Sequence, residues 1–345
     1  MAQQYIIMAS PIVTGLLAYG MSGRIFHAPF LSTNPQFKMK AVVERSQKKM
    51  AEHYPDIISY NSVEEILNDA EIELIIVNTP NFTHFDLAKQ ALNAGKHVLI
   101  EKPAAGNVAE IQELFDVARA VGKKVFCYQN RRWDSDFMSF KAVIDSGRLG
   151  KLTEVTLRYD RYKPALNPKP FKETKDTPIN GIVYELGPHL IDQAIYLFGK
   201  PLTFEKLTTI QRELSVVPDY VNFRLTYPAG LVVYLTSGLL IPDQLPAFVA
   251  HGSIGSYSKY RCDVQEPQLD KGILPTDEAY GVEPAGMEGK LVTIGADGEK
   301  SIEFVPSLRG EYFKLFYAVY HSIRENTLYP ITEEHMAWQM EMLEA

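Results

Sequence analysis

The chain has 345 residues, 46% of them hydrophobic, and a formal net charge of −7 at pH 7. This length suggests two domains, and the apolar content is sufficient for sizeable hydrophobic cores. The negative charge argues against nucleic acid as a main partner, because phosphate binding requires clustered Lys and Arg.

Nothing in the sequence indicates membrane insertion or a metal site. No apolar run approaches the roughly 18 residues of a membrane span, and no basic stretch precedes an apolar one at the N-terminus. Cys127 and Cys262 lie far apart and form no C-x-x-C pair, which argues against a zinc site or a disulfide framework. We therefore expect a cytoplasmic protein with no membrane partner and no metal.

The first predicted strand, residues 12–17, runs into a turn with the pattern A-x-G-x-x-G. In a dinucleotide-binding turn the second glycine lets the backbone approach a pyrophosphate, and the third lets the helix pack closely on the strand. The N–H groups at the helix start then bind the anion. A plain strand-to-helix turn is the alternative. The residues of the predicted phosphate turn are Ala18, Gly20, Met21, Ser22 and Gly23.

A second predicted strand, residues 38–43, ends at Glu44 and Arg45. An acidic residue about twenty positions after the glycines is where such folds hold the ribose hydroxyls. A carboxylate there repels a 2′-phosphate and favours NAD, whereas the guanidinium of Arg45 attracts that phosphate. We therefore predict NAD or NADP as the cofactor, with Glu44 favouring NAD and Arg45 keeping NADP open.

Short apolar segments and helical segments alternate up to about residue 129. Apolar residues at helical spacing end at glycines in the C-cap position, as expected for helices between buried parallel strands. This alternation predicts a doubly wound parallel sheet. The predicted strands are residues 74–77, 98–100 and 125–128, and the predicted helices are residues 82–94 and 108–121.

The pattern changes beyond about residue 150. Longer strands with partial alternation follow one another with few helices, which predicts an α/β domain with an open, mainly antiparallel sheet. Residues 263–289 are rich in Pro, Gly and acidic residues, and we predict a long loop that covers the site or reaches a neighbouring subunit. The predicted strands are residues 153–159, 220–226, 231–236 and 291–294, and the predicted helices are residues 189–198 and 311–325.

The tripeptide Glu101-Lys102-Pro103 directly follows a predicted buried strand. Ligands of an open α/β sheet bind outside the carboxyl ends of its strands, so we expect the tripeptide at the cofactor crevice. Lys102 would there hydrogen-bond a substrate hydroxyl. The alternative is a solvated lysine in a loop.

Three polar residues share one stripe of the predicted helix near residue 189. Glu185, His189 and Asp192 are spaced i, i+4 and i+7. Pro188 is tolerated only in the first turn of a helix, so Glu185 is expected at or just before the helix start. An exposed polar face would explain the stripe equally well.

These motifs together resemble those of the Gfo/Idh/MocA oxidoreductases. The resemblance rests on the A-x-G-x-x-G turn, on Glu101-Lys102-Pro103 and on the helix with Glu185, His189 and Asp192. Within the family, residues 129–137, 161–164, 189–193 and 251–260 resemble the branch that includes NADP-dependent scyllo-inositol dehydrogenases. The resemblance runs from Val13 to about Ile331, and it implies a further strand beyond Ala345.

The resemblance implies a domain organisation and a set of site residues. It implies a Rossmann dinucleotide-binding domain over residues 1–128, and a C-terminal α/β domain over residues 129–345 that binds substrate and forms a homodimer or homotetramer. Lys102 and His189 would be the catalytic pair, with Glu185 where relatives carry aspartate. Further cofactor-binding residues would be Thr79, Pro80, Asn81, His84, Glu101 and Asn130, and substrate-binding residues would be Tyr162 and Asp192.

The sequence thus predicts an NAD(P)-dependent dehydrogenase that oxidises a secondary alcohol of a polyol, inositol or sugar. His189 would act as general base, because histidine titrates near neutrality. Lys102 would hold the same oxygen and stabilise charge that develops there. Two alternatives stay open: an NAD-dependent glycoside hydrolase, and a non-catalytic cofactor-sensing regulatory protein on the same fold.

Overall fold

The computed structural model describes residues 10–175 and 179–345. The first part of the chain forms a parallel sheet with strand order β3-β2-β1-β4-β5-β6. All side chains of β4 are fully buried, because helices cover both faces of the sheet. The strands are β1 (Ile12–Leu16), β2 (Phe37–Val43), β3 (Ile58–Tyr60), β4 (Leu74–Val77), β5 (His97–Glu101) and β6 (Val125–Tyr128).

Helices connect these parallel strands. After the glycine turn a π-helical segment, Gly23–His27, continues into α1 (Ala28–Thr33). The predicted helices after β4 and β5 are confirmed, and Gly95 and Gly122 follow them with positive φ angles of 75° and 65°. The remaining helices of this part are α2 (Val63–Leu67), α3 (His84–Asn93) and α4 (Val108–Ala120).

The second part of the chain forms a sheet with strand order β14-β13-β12-β11-β7-β10-β9-β8, antiparallel except between β7 and β10. The predicted fold class is therefore confirmed. The strands are β7 (Leu152–Arg158), β8 (Thr203–Thr209), β9 (Tyr220–Thr226), β10 (Val232–Gly238), β11 (Phe248–Gly252), β12 (Gly255–Lys259), β13 (Gly289–Ile294) and β14 (Lys300–Val305).

Helices cover one face of this second sheet, while its other face carries exposed apolar side chains such as Leu207 and Phe304. The predicted homodimer or homotetramer stays a prediction. None of the described helices is long and apolar enough to cross a membrane. The helices are α5 (Ser135–Asp145), α6 (Ile182–Glu185), α7 (Gly187–Phe198), α8 (Gln265–Asp270), α9 (Phe313–Glu325) and α10 (Glu333–Glu344).

The predicted loop at residues 263–289 is not entirely irregular, because it contains helix α8. Pro267 lies in the first turn of this helix, where proline is tolerated. Asp263 accepts a hydrogen bond from the Ser135 amide, and Asp270 forms an ion pair with Arg24 beside the glycine turn. The segment therefore packs against the chain's own first part.

The predicted boundary between residues 128 and 129 falls between the two sheets, but the last helices return to the first sheet. Phe316 of α9 stacks on Phe30 of α1 with ring centroids 5.1 Å apart. Arg324 of α9 forms an ion pair with Glu73, which precedes β4. The division into units 1–128 and 129–345 stays a prediction about folding.

A buried ion pair holds α7 against the turn that follows β6. Both carboxylate oxygens of Asp192 accept hydrogen bonds from the Arg132 guanidinium, at 2.7 Å and 2.8 Å. Asp192 is only 3% exposed, and Arg132 also donates to the Pro330 carbonyl. The pair thus fixes the helix that carries His189. The interpretation of Asp192 as a substrate ligand stays a prediction that this geometry does not support.

Replacing Asp192 by Asn should destabilise the protein, because the buried Arg132 charge loses its counter-charge. Breaking a buried pair costs about 3–5 kcal/mol, and urea denaturation measures the loss in the free energy of unfolding. Asp270→Asn is the matched control, since the exposed pair with Arg24 contributes about 0–1 kcal/mol. Equal effects of the two substitutions would contradict a stabilising role for the buried pair.

Candidate active site

A cleft of about 300 Å³ opens beyond the carboxyl ends of β1, β4 and β5. The glycine turn and the segments after β4 and β5 form one wall, and residues of the range 169–185 form the other. The structure brings most of the predicted site residues together here: Ala18, Gly20, Met21, Ser22, Thr79, Pro80, Asn81, His84, Glu101, Lys102 and Glu185.

The glycine turn has the geometry that a dinucleotide requires. A Cβ at Gly23 would lie 2.5 Å from the Ala18 carbonyl oxygen and 2.9 Å from Asn78 Nδ2, so only glycine permits this packing. A Cβ at Gly20 would meet no atom within 4 Å. The Gly20 backbone therefore faces open cleft space at the start of a helix, where N–H groups attract an anion. These residues fit a bound pyrophosphate.

A second cavity of about 400 Å³ lies beyond β2, where the adenosine end of a dinucleotide is expected. Arg45 and Lys49 line it, are exposed, and form no ion pair with any described residue. Glu44 also borders the cavity, but its carboxylate accepts hydrogen bonds from the Lys49 and Met50 amides and from Ser59 Oγ. The prediction that Glu44 binds ribose therefore has no support in this geometry.

Partly buried hydrogen bonds connect the glycine turn to the end of β5. Glu101 Oε1 accepts a hydrogen bond from Ser22 Oγ at 2.5 Å and lies 2.8 Å from His27 Nε2. Burial opposes ionisation of Glu101, but the contacts with His27 and Ser22 hold the pKa of its carboxyl below the ordinary value. Glu101, which directly precedes Lys102, thus connects the end of β5 to the start of the helix after the glycine turn.

Lys102 projects into the cleft, and its Nζ donates a hydrogen bond to the Glu185 carbonyl oxygen at 2.5 Å. Burial lowers the pKa of Lys102 to about 8, although the charges of Glu185 and Glu101 oppose this shift. Lys102 is therefore predominantly protonated at neutral pH, and it loses its proton as the pH rises through about 8. A group of this kind can donate a hydrogen bond to a substrate oxygen.

His84 contacts two segments that border the cleft, one after β4 and one after β5. Its Nδ1 lies 2.7 Å from the Pro103 carbonyl oxygen, and its Nε2 lies 2.9 Å from the Thr79 carbonyl oxygen. Burial lowers the pKa of the ring, although both carbonyl contacts oppose this shift. His84 thus links the segment after β4 to the segment after β5.

Glu185 ends α6, just before the start of α7, as the position of Pro188 predicts. Its Oε1 lies 3.7 Å from Arg161 and 3.6 Å from Lys172. Burial opposes ionisation, but the charges of Lys172, Lys102, Arg161 and Lys163 hold the pKa of its carboxyl below the ordinary value. Glu185 is therefore a carboxylate surrounded by cations.

His189 lies in the first turn of α7 and is 6% exposed. Burial, together with the charges of Lys102, Arg131, Arg261 and Arg161, holds the pKa of its ring well below the ordinary value of 6.5. Its Nδ1 is buried and has no hydrogen-bond partner among the described residues. The imidazole is therefore neutral at physiological pH and retains an unused nitrogen.

Two other predicted residues do not line the cleft. Asn130 is buried in the turn Asn130–Trp133. Tyr162 is 58% exposed and pairs with Leu240 in an isolated bridge. Their roles in binding cofactor and substrate stay predictions.

Several residues that line the cleft were not singled out from the sequence. Asn78 directly follows β4, as Glu101 ends β5, and binds both the amide and the carbonyl of Ala18. The strand-end rule could have identified it. The others come from a part of the chain distant in sequence, before and at the start of α6, and no local pattern marks them: Lys169, Phe171, Lys172, Ile179, Asn180, Gly181 and Tyr184.

The cysteines and the acidic residues were compared with the requirements of a nucleophile and of a metal site. Cys127 is buried and Cys262 half-buried, and burial raises the pKa of both thiols. Within residues 10–175 and 179–345, no group of at least three His, Cys, Asp or Glu residues is arranged to hold a metal ion. Neither thiol is activated as a nucleophile.

Two family models match the chain. Residues 13–129 match the model described as the oxidoreductase family with an NAD-binding Rossmann fold. Residues 137–258 match the Gfo/Idh/MocA C-terminal domain. The two matches follow each other along the chain as the two sheets do.

Individual proteins resemble the chain over nearly its whole length. Scyllo-inositol 2-dehydrogenase (NADP(+)) IolW of Bacillus subtilis is 34% identical over 97% of this chain and 92% of its own. Inositol 2-dehydrogenase of Salmonella agona is 27% identical over 82% of this chain and 91% of its own. The solved structure of the oxidoreductase yvaA from Bacillus subtilis has a TM-score of 0.91 and 33% identity, covering 97% of this chain and 94% of that one. The chain therefore belongs to the Gfo/Idh/MocA family of oxidoreductases, with an NAD(P)-binding Rossmann domain at its N-terminus.

Proposed function

We propose that the protein is a dehydrogenase that oxidises a secondary alcohol of a polyol, inositol or sugar with NAD(P). The observation that carries this proposal is the electrostatic effect of Lys102, which lines the cleft, on His189 in the first turn of α7. The charge of Lys102 helps to keep the His189 ring neutral, while Lys102 itself keeps its proton up to a pH of about 8. The protein thus offers a proton donor, Lys102, and a neutral proton acceptor, His189, at the same neutral pH.

Residues of the cleft and His189 of α7 divide the work of alcohol oxidation. The glycine turn and the segment after β4 would hold the dinucleotide, whose nicotinamide would supply the acceptor for the hydride of the carbinol carbon. Lys102 donates a hydrogen bond to the substrate oxygen and stabilises the negative charge that develops there. His189, as a neutral imidazole, accepts the hydroxyl proton. Glu185 hydrogen-bonds neighbouring hydroxyls of the substrate.

The two alternatives differ from this proposal in what accumulates. A glycoside hydrolase of this fold would cleave a glycoside without net reduction of the cofactor, and a sensor would bind the cofactor without turnover. A panel of polyols, inositols and sugars, assayed with NAD and NADP separately, distinguishes all three. Accumulation of NAD(P)H supports the dehydrogenase, and its absence with every alcohol of the panel would overturn the proposal.

Lys102→Ala should lower kcat about 10²–10⁴-fold, the range for loss of a positioned proton-transfer or charge-stabilising group. In the wild type, the oxidation rate should fall as the pH rises through about 8, because Lys102 then loses its proton. The rate should fall on the acid side only well below pH 6.5, where His189 becomes protonated. Rates of both proteins across the pH range check this. An alkaline limb that persists in Lys102→Ala would contradict the role of Lys102.

The two glycines of the turn should respond differently to alanine. Gly23→Ala forces a Cβ against Ala18 and Asn78, and overpacking of this kind costs about 1–3 kcal/mol of unfolding free energy. Gly20→Ala places its Cβ in open cleft space, so it should leave the Tm unchanged but weaken cofactor binding about tenfold. Thermal unfolding and fluorescence titration with NADP measure the two effects. Unchanged NADP affinity in Gly20→Ala would contradict the assignment of the pyrophosphate site.

We further propose NADP as the preferred cofactor. Glu44 satisfies its charge against the amides of Lys49 and Met50, so it does not present a free carboxylate to a 2′-phosphate. Arg45 and Lys49 supply cations at the same cavity. The name of the relative IolW, an NADP(+) enzyme, agrees with this preference. These observations together outweigh the preference for NAD that the sequence predicted from Glu44 alone.

Arg45→Ala should reduce the preference for NADP over NAD about tenfold, because it removes a guanidinium fork that can pair with a 2′-phosphate. Steady-state kcat/KM with each cofactor, together with Kd values from fluorescence titration, measures the change. Gln47→Ala is the control, since it lines the same cavity without charge. A change of less than about twofold in the Arg45 variant, against the tenfold expected for a lost ion pair, would contradict the contact of Arg45 with the 2′-phosphate, and a wild-type kcat/KM higher with NAD than with NADP would overturn the proposed preference.

A further inference from the structure

A third cavity, of about 340 Å³, adjoins the active-site cleft on the side away from the glycine turn. The two share Lys172, Gly181 and Glu185 as lining residues. Arg161 and Lys163 line the third cavity but not the cleft. A substrate with one end at Lys102 can therefore extend past Glu185 towards these two cations.

Backbone pairing holds Arg161 and Lys163 in place. The Arg161 amide donates to the Gly238 carbonyl at 2.9 Å, and the Lys163 amide donates to the Leu239 carbonyl at 2.7 Å. In an extended segment residues i and i+2 face the same side, so these two side chains share the cavity. The intervening Tyr162 faces solvent, which explains why it does not line the cavity.

The positive charge of this region exceeds the negative charge that the described residues supply. Arg212 also borders the cavity, but it is neutralised by Asp219 and Glu173, each 3.0 Å away. Glu185 is the remaining carboxylate of the lining, and its Oε1 is 3.6 Å or more from the nitrogens of Arg161 and Lys172. These separations are longer than hydrogen bonds, so both cations retain donors for another acceptor.

A neutral polyol leaves this charge uncompensated. Lys102, Arg161, Lys163 and Lys172 surround a single carboxylate, and like charges in a partly buried cavity repel one another. An anion beside Arg161, Lys163 and Lys172 would relieve that repulsion and accept their hydrogen bonds. The cavity thus has the chemistry of an anion-binding subsite.

We propose that the substrate is acidic: its carboxylate or phosphate group occupies the cavity lined by Arg161, Lys163 and Lys172, and its reacting carbinol lies at Lys102. The substrate class is then a sugar acid or a sugar phosphate. This inference rests on the proposed alcohol oxidation for the position of the carbinol. The anion subsite itself rests only on the charges and contacts of the cavity.

Binding measurements test the subsite without requiring turnover. Glucose, glucuronate and glucose 6-phosphate share a ring and differ in the charge at one end. Gluconate and sorbitol are an open-chain pair that differs in the same way. Isothermal titration calorimetry of each probe into the NADP-saturated protein should give at least about tenfold tighter binding of an acid than of its neutral counterpart. Glucuronate and gluconate report on carboxylates, and glucose 6-phosphate reports on phosphates.

Lys163→Gln should remove about tenfold of the affinity for the preferred acid, and added KCl should weaken acid binding in the wild type. Lys163 is exposed, so this substitution does not disturb the core. Lys151→Gln is the matched control, because Lys151 is an exposed lysine just before β7, at the other end of that strand from Arg161. It should leave the affinity for the acid unchanged.

The proposal is overturned if no acid binds more tightly than its neutral counterpart, or if Lys163→Gln and Lys151→Gln have the same effect. Its failure is distinguishable from failure of the proposed function. Neutral polyols oxidised without any preference for acids would overturn the subsite and keep the dehydrogenase. Acids bound through Lys163, with no NAD(P)H formed from any alcohol, would keep the subsite and overturn the dehydrogenase.

Discussion

The largely buried carboxylate of Glu101 holds the parts of the candidate active site together. A carboxylate that is largely removed from water requires a counter-charge or hydrogen bonds, because desolvation of its charge is unfavourable. Ser22 and His27 meet this requirement, and both belong to the helix that begins at the glycine turn. The glycine turn and Lys102 therefore keep a fixed relative position. Asp192 does the same for the other half of the site, because its pair with Arg132 fixes the helix of His189.

Burial sets the proton affinities of the two side chains to which the proposed function assigns proton transfer. Lys102 and His189 are both cationic when protonated, so desolvation lowers the pKa of each. The carboxylates near Lys102 partly restore its affinity for a proton. His189 instead faces additional positive charges, and its pKa falls further below its ordinary value. One environment thus keeps one group protonated and the other neutral at the same pH.

Local patterns were sufficient to predict the framework of the fold and much of the cleft. Turn chemistry and the strand-end rule predict the glycine turn and the residues at the end of β5. Pro188 predicts the position of Glu185 just before α7. The orientation of Glu44 could not be predicted, because it depends on a loop that brings the amides of Lys49 and Met50 back to the strand end. The ion pair of Asp192 could not be predicted for a similar reason, since its partner Arg132 is 60 residues away. Lys172 lines the cleft because of the three-dimensional course of an aperiodic segment, which no local sequence pattern indicates.

Helix α10 limits how the cleft can open. Its Gln339 accepts a hydrogen bond from Gln129, at the end of the first sheet, and donates one to the Pro188 carbonyl at the start of α7. Arg119 of α4 also pairs with Glu333 at the N-terminus of α10. A hinge rotation that separated the two sheets would have to break both buried hydrogen bonds of the Gln339 side-chain amide at the same time. The width of the cleft therefore depends on a helix that contributes no residue to the lining of the cleft.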